Sequence, residues 1–341
     1  LRPLRLCGER NLEEIMDFSF TEEQLMFKEQ VIRFAKKEIA PRAQEHDLKG
    51  EFDFHSFRKL GEFGILGLHF PEALGGSNAD VVTTTLAGEA LGEAGVDGGL
   101  TLSYGAHTFL CADTIFAQGT DAQRKKYIPK LSSGEWIGCM GLTEPGAGSD
   151  VASITTRAAK RADRYILNGS KMFITNGPVA DVAVVYAKTD KDSKHAGISA
   201  FVIEKGTPGF SAGKNLIKMG VRGSHTSELI FEDCEIPEEN LIGQEGTGFL
   251  MAMQTVEWDR SAILAPFVGG MTYVLKRCIR YAKERHQFGR PIAEFQAIKH
   301  KLADIKIFIE AARSLCYRIA WCKDQERPVS YTHLTLPTTI E

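Results

Sequence analysis

No Cys-x-x-Cys pair occurs among the seven cysteines of the 341-residue sequence (Cys7, Cys111, Cys139, Cys234, Cys278, Cys316 and Cys322). Odd in number and widely spread, they suggest neither a zinc ribbon nor a disulfide framework, and read as reduced, mostly buried thiols. The nine histidines lack His-Glu-x-x-His or any comparable ligand spacing, so no protein-bound metal is expected. Charge of one sign is lacking too: 41 Lys and Arg against 44 Asp and Glu leave a net charge of −3. A general polyanion binder carries a basic excess or stripe, so no nucleic-acid partner is expected. No apolar run approaches the ~20 residues of a membrane span. Residues that build a core are not scarce: 43% hydrophobic and 25% charged is ordinary for a folded chain and argues against bulk disorder. At roughly 100–200 residues per domain, the length allows two or three domains.

Both ends look foreign to what lies between. Residues 1–15, LRPLRLCGERNLEEI, mix Arg2, Arg5 and Arg10 with Glu9, Glu13 and Glu14. A transit peptide is acid-poor and a signal peptide has a longer apolar run, so this stretch reads as a non-native leader before Met16. Residues 329–341, with SYTHLTLPTTIE from Ser330, break abruptly from the helical pattern before them and read as a non-native tail.

Three regions follow from periodicity. Residues 16–135 read as a helical domain. Thr21-Glu22-Glu23-Gln24 fits a capping box, and Phe27, Val31, Phe34 and Ala35 then share one helical face. Pro41 marks that helix's end, and further helices are expected near 55–63, 81–94, 100–118 and 121–128. Residues 136–245 read as a β domain. Asn168-Gly169 between apolar runs is a hairpin signal, and strands are expected at 182–186, 198–203 and 229–231. Strands without long intervening helices predict an antiparallel barrel or sandwich. Residues 246–328 return to helical period: a helix over about 249–284 kinked at Pro266, with Gly269-Gly270 allowing close packing, a link over 285–291, and a helix over about 294–323. The whole is an α+β chain. Two helices alone cannot bury all their apolar faces, so this last segment is expected to pack on the rest of the chain, on a partner subunit, or both.

Several motifs fail on inspection. Gly146-Ala147-Gly148 lacks the third glycine of a dinucleotide fingerprint, because Val151 stands there. Gly209-Phe210-Ser211-Ala212-Gly213 spells Gly-x-Ser-x-Gly, but Pro208 precedes it and β pattern continues after it, which is no setting for a nucleophile elbow. Gly213-Lys214 is no Walker motif, since Pro208 occupies the first glycine position. The glycine-rich stretch from Thr143 to Asp150 stays open between a plain surface loop and a ligand loop whose N–H groups hold phosphate.

Three segments carry a resemblance. They are Thr143-Glu144-Pro145-Gly146-Ala147-Gly148-Ser149-Asp150, then Asn168-Gly169-Ser170-Lys171-Met172-Phe173-Ile174-Thr175-Asn176-Gly177, then Glu284-Arg285-x-x-Phe288-Gly289-x-Pro291-Ile292-x-x-x-Gln296. In this order, with the helical, β, helical sequence of regions, the chain from Met16 to about Pro328 resembles the acyl-CoA dehydrogenase family. The resemblance implies bound FAD between the β domain and the C-terminal helices, completed by a neighbouring subunit of a homodimer or homotetramer. Leu142 and Thr143 match positions facing the flavin's polar edge, and Ser149 one that bonds the phosphates. Phe173 matches an aromatic position against the ring, and Thr175 a hydroxyl at its reactive side. By residue type alone, Phe173 and Thr175 are simply two residues on one face of a strand. Arg285, Gln287, Phe288 and Gln296 match contacts to the FAD of the adjacent subunit; read alone, Arg285 is a solvated cation at a helix C-terminus.

The reaction so implied is α,β-dehydrogenation of an acyl thioester to the 2-enoyl thioester. A carboxylate takes the α proton, the β carbon gives hydride to FAD, and electrons pass on to an electron-transfer flavoprotein. Acyl-CoA is the implied substrate, with acyl-carrier thioesters used by some relatives. The cytoplasm of a bacterium, or the mitochondrial matrix of a eukaryote, is the implied compartment. The sequence departs from the family in one place: the C-terminal Tyr-Glu-Gly-Thr-like motif that usually supplies the base, and the helices before it, are missing, so the chain reads as C-terminally truncated. A minority of members take the base from the residue before a helical Arg. In Val256-Glu257-Trp258-Asp259-Arg260 that residue is Asp259, one methylene shorter than the usual Glu. Arg260 matches the family Arg, and Glu257 a position near the pantetheine arm. The alternative for Asp259 is a structural carboxylate paired with arginine. Two rival readings keep the fold: a flavin oxidase or monooxygenase of the same superfamily, and a truncated, non-catalytic FAD-binding fragment.

Overall fold

The computed structural model describes residues 19–259 and 261–325. The expected leader (1–15), the expected tail (329–341) and Arg260 lie outside the described residues.

The N-terminal region is helical, as its pattern demands. Helix α1 (Glu22–Glu38) opens on the capping box: Gln24 N–H donates to the Thr21 hydroxyl at 3.2 Å, and Thr21 N–H to Gln24 Oε1 at 3.1 Å. Val31 and Ala35 are buried on its inner face. Pro41 both ends α1 and opens α2 (Ala40–Lys49), in a first turn where no N–H is needed. Then come α3 (Phe54–Glu62), α4 (Val81–Glu93) and α5 (Gly98–Gly105). The single helix expected over 100–118 is divided: a π-helical turn, Ala106–Ala112, separates α5 from α6 (Asp113–Gln118). Helix α7 (Asp121–Ser132) has its own capping box, Thr120 with Gln123.

The β region holds β1 (Gly138–Gly141), β2 (Arg157–Arg161), β3 (Arg164–Thr175), β4 (Val182–Lys188), β5 (Ile198–Glu204), β6 (Phe210–Ala212), β7 (Thr226–Pro237) and β8 (Leu241–Ile242). Two expectations need correction here. Of the barrel and the sandwich, only the sandwich holds: the sheet order, β6-β7-β3-β2-β4-β5-β8, ends on β6 and β8 without closing among the described residues. It is also mixed, because β1 lies parallel to β4, and β2 meets β4 in parallel through Arg157 and Lys188. The long excursion between β1 and β4 permits the parallel pairing, which a short turn cannot. Secondly, Asn168-Gly169 is not a turn. It lies inside β3, whose hairpin with β2 turns instead at Ala162-Asp163. Gly169 sits at a bulge with φ 140°, and a Cβ there would come within 2.7 Å of Thr156 Oγ1, so tertiary approach rather than a turn requires the glycine.

The apolar run Val182–Ala187 is explained by burial on both faces. Val182, Val184 and Tyr186 pack with Cys111, Ile115 and Ile128 of the helical layer, whereas Ala183, Val185 and Ala187 pack with Leu167, Leu229 and Phe231. Strands β3 and β7 thus cover one face of β4–β5 in a sandwich, and helices cover the other.

The C-terminal region forms α8 (Gly248–Asp259), α9 (Ala265–Glu284), a small hairpin of β9 (His286–Gln287) and β10 (Arg290–Pro291), and α10 (Gln296–Asp324). Instead of kinking one long helix, Pro266 stands in the first turn of α9. Helices α9 and α10 dock on the N-terminal domain. The buried Glu89 carboxylate of α4 accepts from Arg313 Nε at 2.9 Å and from the Tyr317 hydroxyl at 2.6 Å. Asp324 accepts from Val81 and Val82 N–H at 2.7 and 3.0 Å, capping α4 from another helix.

Of the two glycines expected to allow close packing, only Gly269 is pressed against a neighbour. A Cβ at Gly269 would lie 2.0 Å from Glu89 O, whereas one at Gly270 would meet nothing within 4 Å. Gly269→Ala is therefore expected to push α9 from α4 and cost about 1–3 kcal/mol. Gly270→Ala should be neutral or add up to about 1 kcal/mol through helix propensity. Urea midpoints of the two variants check this; equal midpoints would contradict the close contact.

Candidate active site

The site grows from the end of β1. There the chain leaves the sheet through Leu142 and Thr143, both half-buried, and enters the glycine-rich loop. The loop is built, not slack: Glu144 and Ala147 exchange backbone hydrogen bonds at 2.9 and 3.1 Å across Pro145-Gly146. Gly146, Gly148 and Ser149 are exposed, and a Cβ at either glycine would meet nothing within 4 Å. That open backbone suits close approach by a ligand.

Strand β3 forms the adjoining wall. Met172 N–H donates to Thr143 O at 2.8 Å, which joins loop and strand. Phe173 is 66% exposed and has φ 61°, in the left-handed region where a bulky side chain is strained. The strain belongs to the bulge between Lys171 and Ile174, which turns an aromatic ring outward. Two residues on, half-buried Thr175 pairs with Thr226 of β7. An exposed apolar ring, two threonines and an open glycine loop thus share one surface, a donor set that fits a flat aromatic cofactor with polar edges and a phosphate tail.

Three features behind this surface escape sequence reasoning. Lys171 and Glu144 form an ion pair at 2.7 Å, their side chains 0% and 3% exposed. The carboxylate also accepts from Thr155 N–H (2.6 Å), the Thr155 hydroxyl (2.8 Å) and Thr156 N–H (2.9 Å). Burial pushes Glu144 up, but the Lys171 charge and these donors outweigh it and hold the carboxyl at about 2. Burial pulls the Lys171 ammonium down, to about 8, against the attraction of Glu144; with four donors on the carboxylate, the ionised pair is the neutral-pH state. Asn176, at φ 67°, donates to Ser103 O at 2.9 Å and Gly138 O at 3.1 Å. His107, buried, accepts Gly138 N–H at Nδ1 (2.9 Å), so its proton sits on Nε2, facing Leu131 O at 3.0 Å. Only a lysine beside the apolar run Met172-Phe173-Ile174 hinted at any of this.

Acid should undo these supports in order. Burial lowers His107 to about 4 from the ordinary 6.5, so the unfolded chain takes up that proton first. Stability is complete above pH 6.5 and declines toward pH 4, by an amount on the order of 3 kcal/mol. Glu144, depressed to about 2, contributes stability above the ordinary carboxylate range that is lost as pH falls through 2. Urea midpoints from pH 8 to 3 are expected to show a larger first decline in wild type than in His107→Asn, where only the burial-lowered His225 remains, and identical profiles would contradict it.

The C-terminal candidates stand apart. Arg285 follows α9, and Gln287, Phe288 and Arg290 belong to the small hairpin. Its two-residue turn, Phe288-Gly289, has φ 51° and 76°, and Phe288 is 93% exposed. A bulky ring at the tip of a turn that prefers Asn-Gly has a cost that its edge contact with Phe295, 6.1 Å between centroids, does little to offset. Gln296 opens α10. Glu257 and Asp259 belong to the last turn of α8; their side chains, like Arg260, lie outside the described residues. Among the described residues no cluster of His, Cys, Asp and Glu could hold a metal, and no helix is long and apolar enough to cross a membrane.

Comparisons with known proteins agree along the chain. Family models of the acyl-CoA dehydrogenase N-terminal, middle and C-terminal domains match residues 21–135, 139–234 and 246–335. A short-chain-specific acyl-CoA dehydrogenase of Clostridium acetobutylicum is 44% identical over 313 residues, covering 92% of this chain and 82% of that protein. The butyryl-CoA dehydrogenase structure from Megasphaera elsdenii superposes with TM-score 0.88 at 43% identity, over 92% of this chain and 82% of that one. The FAD complex of PigA superposes with TM-score 0.89 at 35% identity, with the same coverage. With three domain models matched in order and identity of this level over most of its length, the chain belongs to the acyl-CoA dehydrogenase family of oxidoreductases.

Proposed function

We propose that this chain is an FAD-dependent dehydrogenase of short acyl-CoA thioesters, forming the 2-enoyl thioester. The observation that carries the reading is Phe173: an exposed ring on strained, bulged backbone beside Thr143, Thr175 and an open glycine loop, in a chain of this family. FAD, when bound, supplies the two-electron oxidation that no side chain here can perform. Leu142 and Thr143 would hold its polar ring edge, Phe173 and Thr175 its ring, and Ser149 with the loop N–H groups its phosphates. Donors from this chain near the ring would stabilise negative charge developing there. Arg285, Gln287, Phe288 and Gln296 would reach the cofactor of a second subunit, which gives the exposed hairpin tip its purpose; the chain then works as a dimer or tetramer.

Asp259 accepts the α proton of the thioester. Glu257 and Arg260 bind the substrate, Glu257 near the pantetheine arm. An electron-transfer flavoprotein is the proposed acceptor, and the short-chain and butyryl relatives support a short acyl group. Purified protein is expected to carry about one FAD per chain, or to take it up on reconstitution. Denaturation and identification of the released flavin test this. A colourless protein that cannot be reconstituted would overturn the reading.

A further inference from the structure

The Glu144–Lys171 pair ties together the Leu142–Thr143 segment, the glycine-rich loop and the Phe173 bulge. Lys171 Nζ donates to Glu144 at 2.7 Å and to Leu142 O at 3.2 Å. Its backbone neighbour Met172 holds Thr143 O at 2.8 Å. Glu144, one residue after Thr143, reaches forward to the N–H groups of Thr155 and Thr156 and so closes the loop that bears Ser149. Lys171 stands at the start of the bulge that turns Phe173 outward.

A buried ion pair is a poor source of stability, because desolvating two charges offsets most of their attraction. Apolar residues would fill the same space at less cost. What the pair adds is direction: a charged group with several fixed donors admits one arrangement of loop and strand, where an apolar contact admits many. We infer that Glu144 and Lys171 are positioning residues for the cofactor, locking the Leu142–Thr143 segment, the Ser149 loop and the Phe173 bulge into one preformed wall. This rests on the reading that FAD binds at that wall. Neither side chain touches the cofactor; both act through the backbone that does.

The deciding variant is the double substitution Glu144→Gln with Lys171→Met. It leaves no buried charge unpaired, and the Gln carbonyl oxygen still accepts both Thr155 donors, while the amide NH2 in place of Oε1 gives up the bonds to Thr156 N–H and Lys171, so the loop-to-strand tie is cut. Leu60→Ala, a buried truncation in α3 within the N-terminal helical core rather than the sheet, serves as a control for general destabilisation. FAD dissociation constants are measured by equilibrium titration of the apoproteins, with amide hydrogen exchange followed over residues 142–150.

The expected result is an apo double variant that melts close to wild type, binds FAD at least tenfold more weakly, and exchanges faster at Glu144 and Ala147. The control should melt lower and bind FAD as wild type does. Wild-type FAD affinity in the double variant would overturn the inference while leaving the site intact. Failure of wild type itself to bind FAD would remove the site, and the inference with it.

Discussion

Asp259→Asn, in FAD-loaded protein, is expected to slow anaerobic flavin bleaching by a short acyl-CoA by about 10²–10⁴-fold, with FAD content unchanged. Asn matches Asp in shape but cannot take a proton, so the variant removes base catalysis and little else. A base at this place needs an apolar, closed setting to raise its pKa toward working pH. The residues that follow supply apolar surface: Ala262 and Ile263 are buried in the N-terminal helical core. Placement is demanding, since a shift of about 1 Å can cost roughly a hundredfold. An Asn variant that bleaches at the wild-type rate with its best substrate would make Asp259 a structural partner of Arg260 and place the base elsewhere.

Arg285→Ala should weaken FAD retention by about 10–150-fold, the equivalent of losing one charge-assisted phosphate contact of about 1.5–3 kcal/mol. Arg280→Ala is the matched comparison. Both arginines are exposed, so neither truncation should change stability by more than about 0.5 kcal/mol. Only Arg285 sits where the chain turns from α9 into the hairpin bearing Gln287 and Phe288. The guanidinium fork suits phosphate oxygens, which a solvated cation elsewhere on the helix does not meet. Dilution series of the two FAD-loaded variants that lose flavin at the same rate would contradict the assignment.

What the sequence made legible was local. The Thr21–Gln24 capping box, the apolar runs of β4 and β5 and the close contact at Gly269 follow from spacing and residue type, and the structure has each of them. What it hid was set by partners far along the chain. Asn168-Gly169 has the composition of a hairpin turn, yet Thr156 packs against Gly169 and the strand continues through it with a bulge. The expected helix over 249–284 is two helices, α8 and α9, and its apolar period does not record the break.

The site shows the same division. The family resemblance pointed to Phe173, Thr175 and the loop, since motif residues carry their positions with them. The strain at Phe173 and the ion pair beneath it were not, because Glu144 and Lys171 lie 27 residues apart and their meeting depends on the sheet. The left-handed tip at Phe288-Gly289 was in the sequence as a residue before glycine, but within a stretch that reads only as a link between helices.

The central claim is that this surface holds FAD and oxidises a short acyl thioester with it. Its most direct test is an anaerobic titration of the FAD-reconstituted protein with butyryl-CoA, recording the visible flavin band and identifying the thioester formed. The account predicts bleaching of the band with formation of the 2-enoyl thioester, and recovery of the band on adding an electron-transfer flavoprotein. A flavin that stays oxidised with butyryl-CoA and with longer and branched acyl-CoA thioesters alike would contradict it.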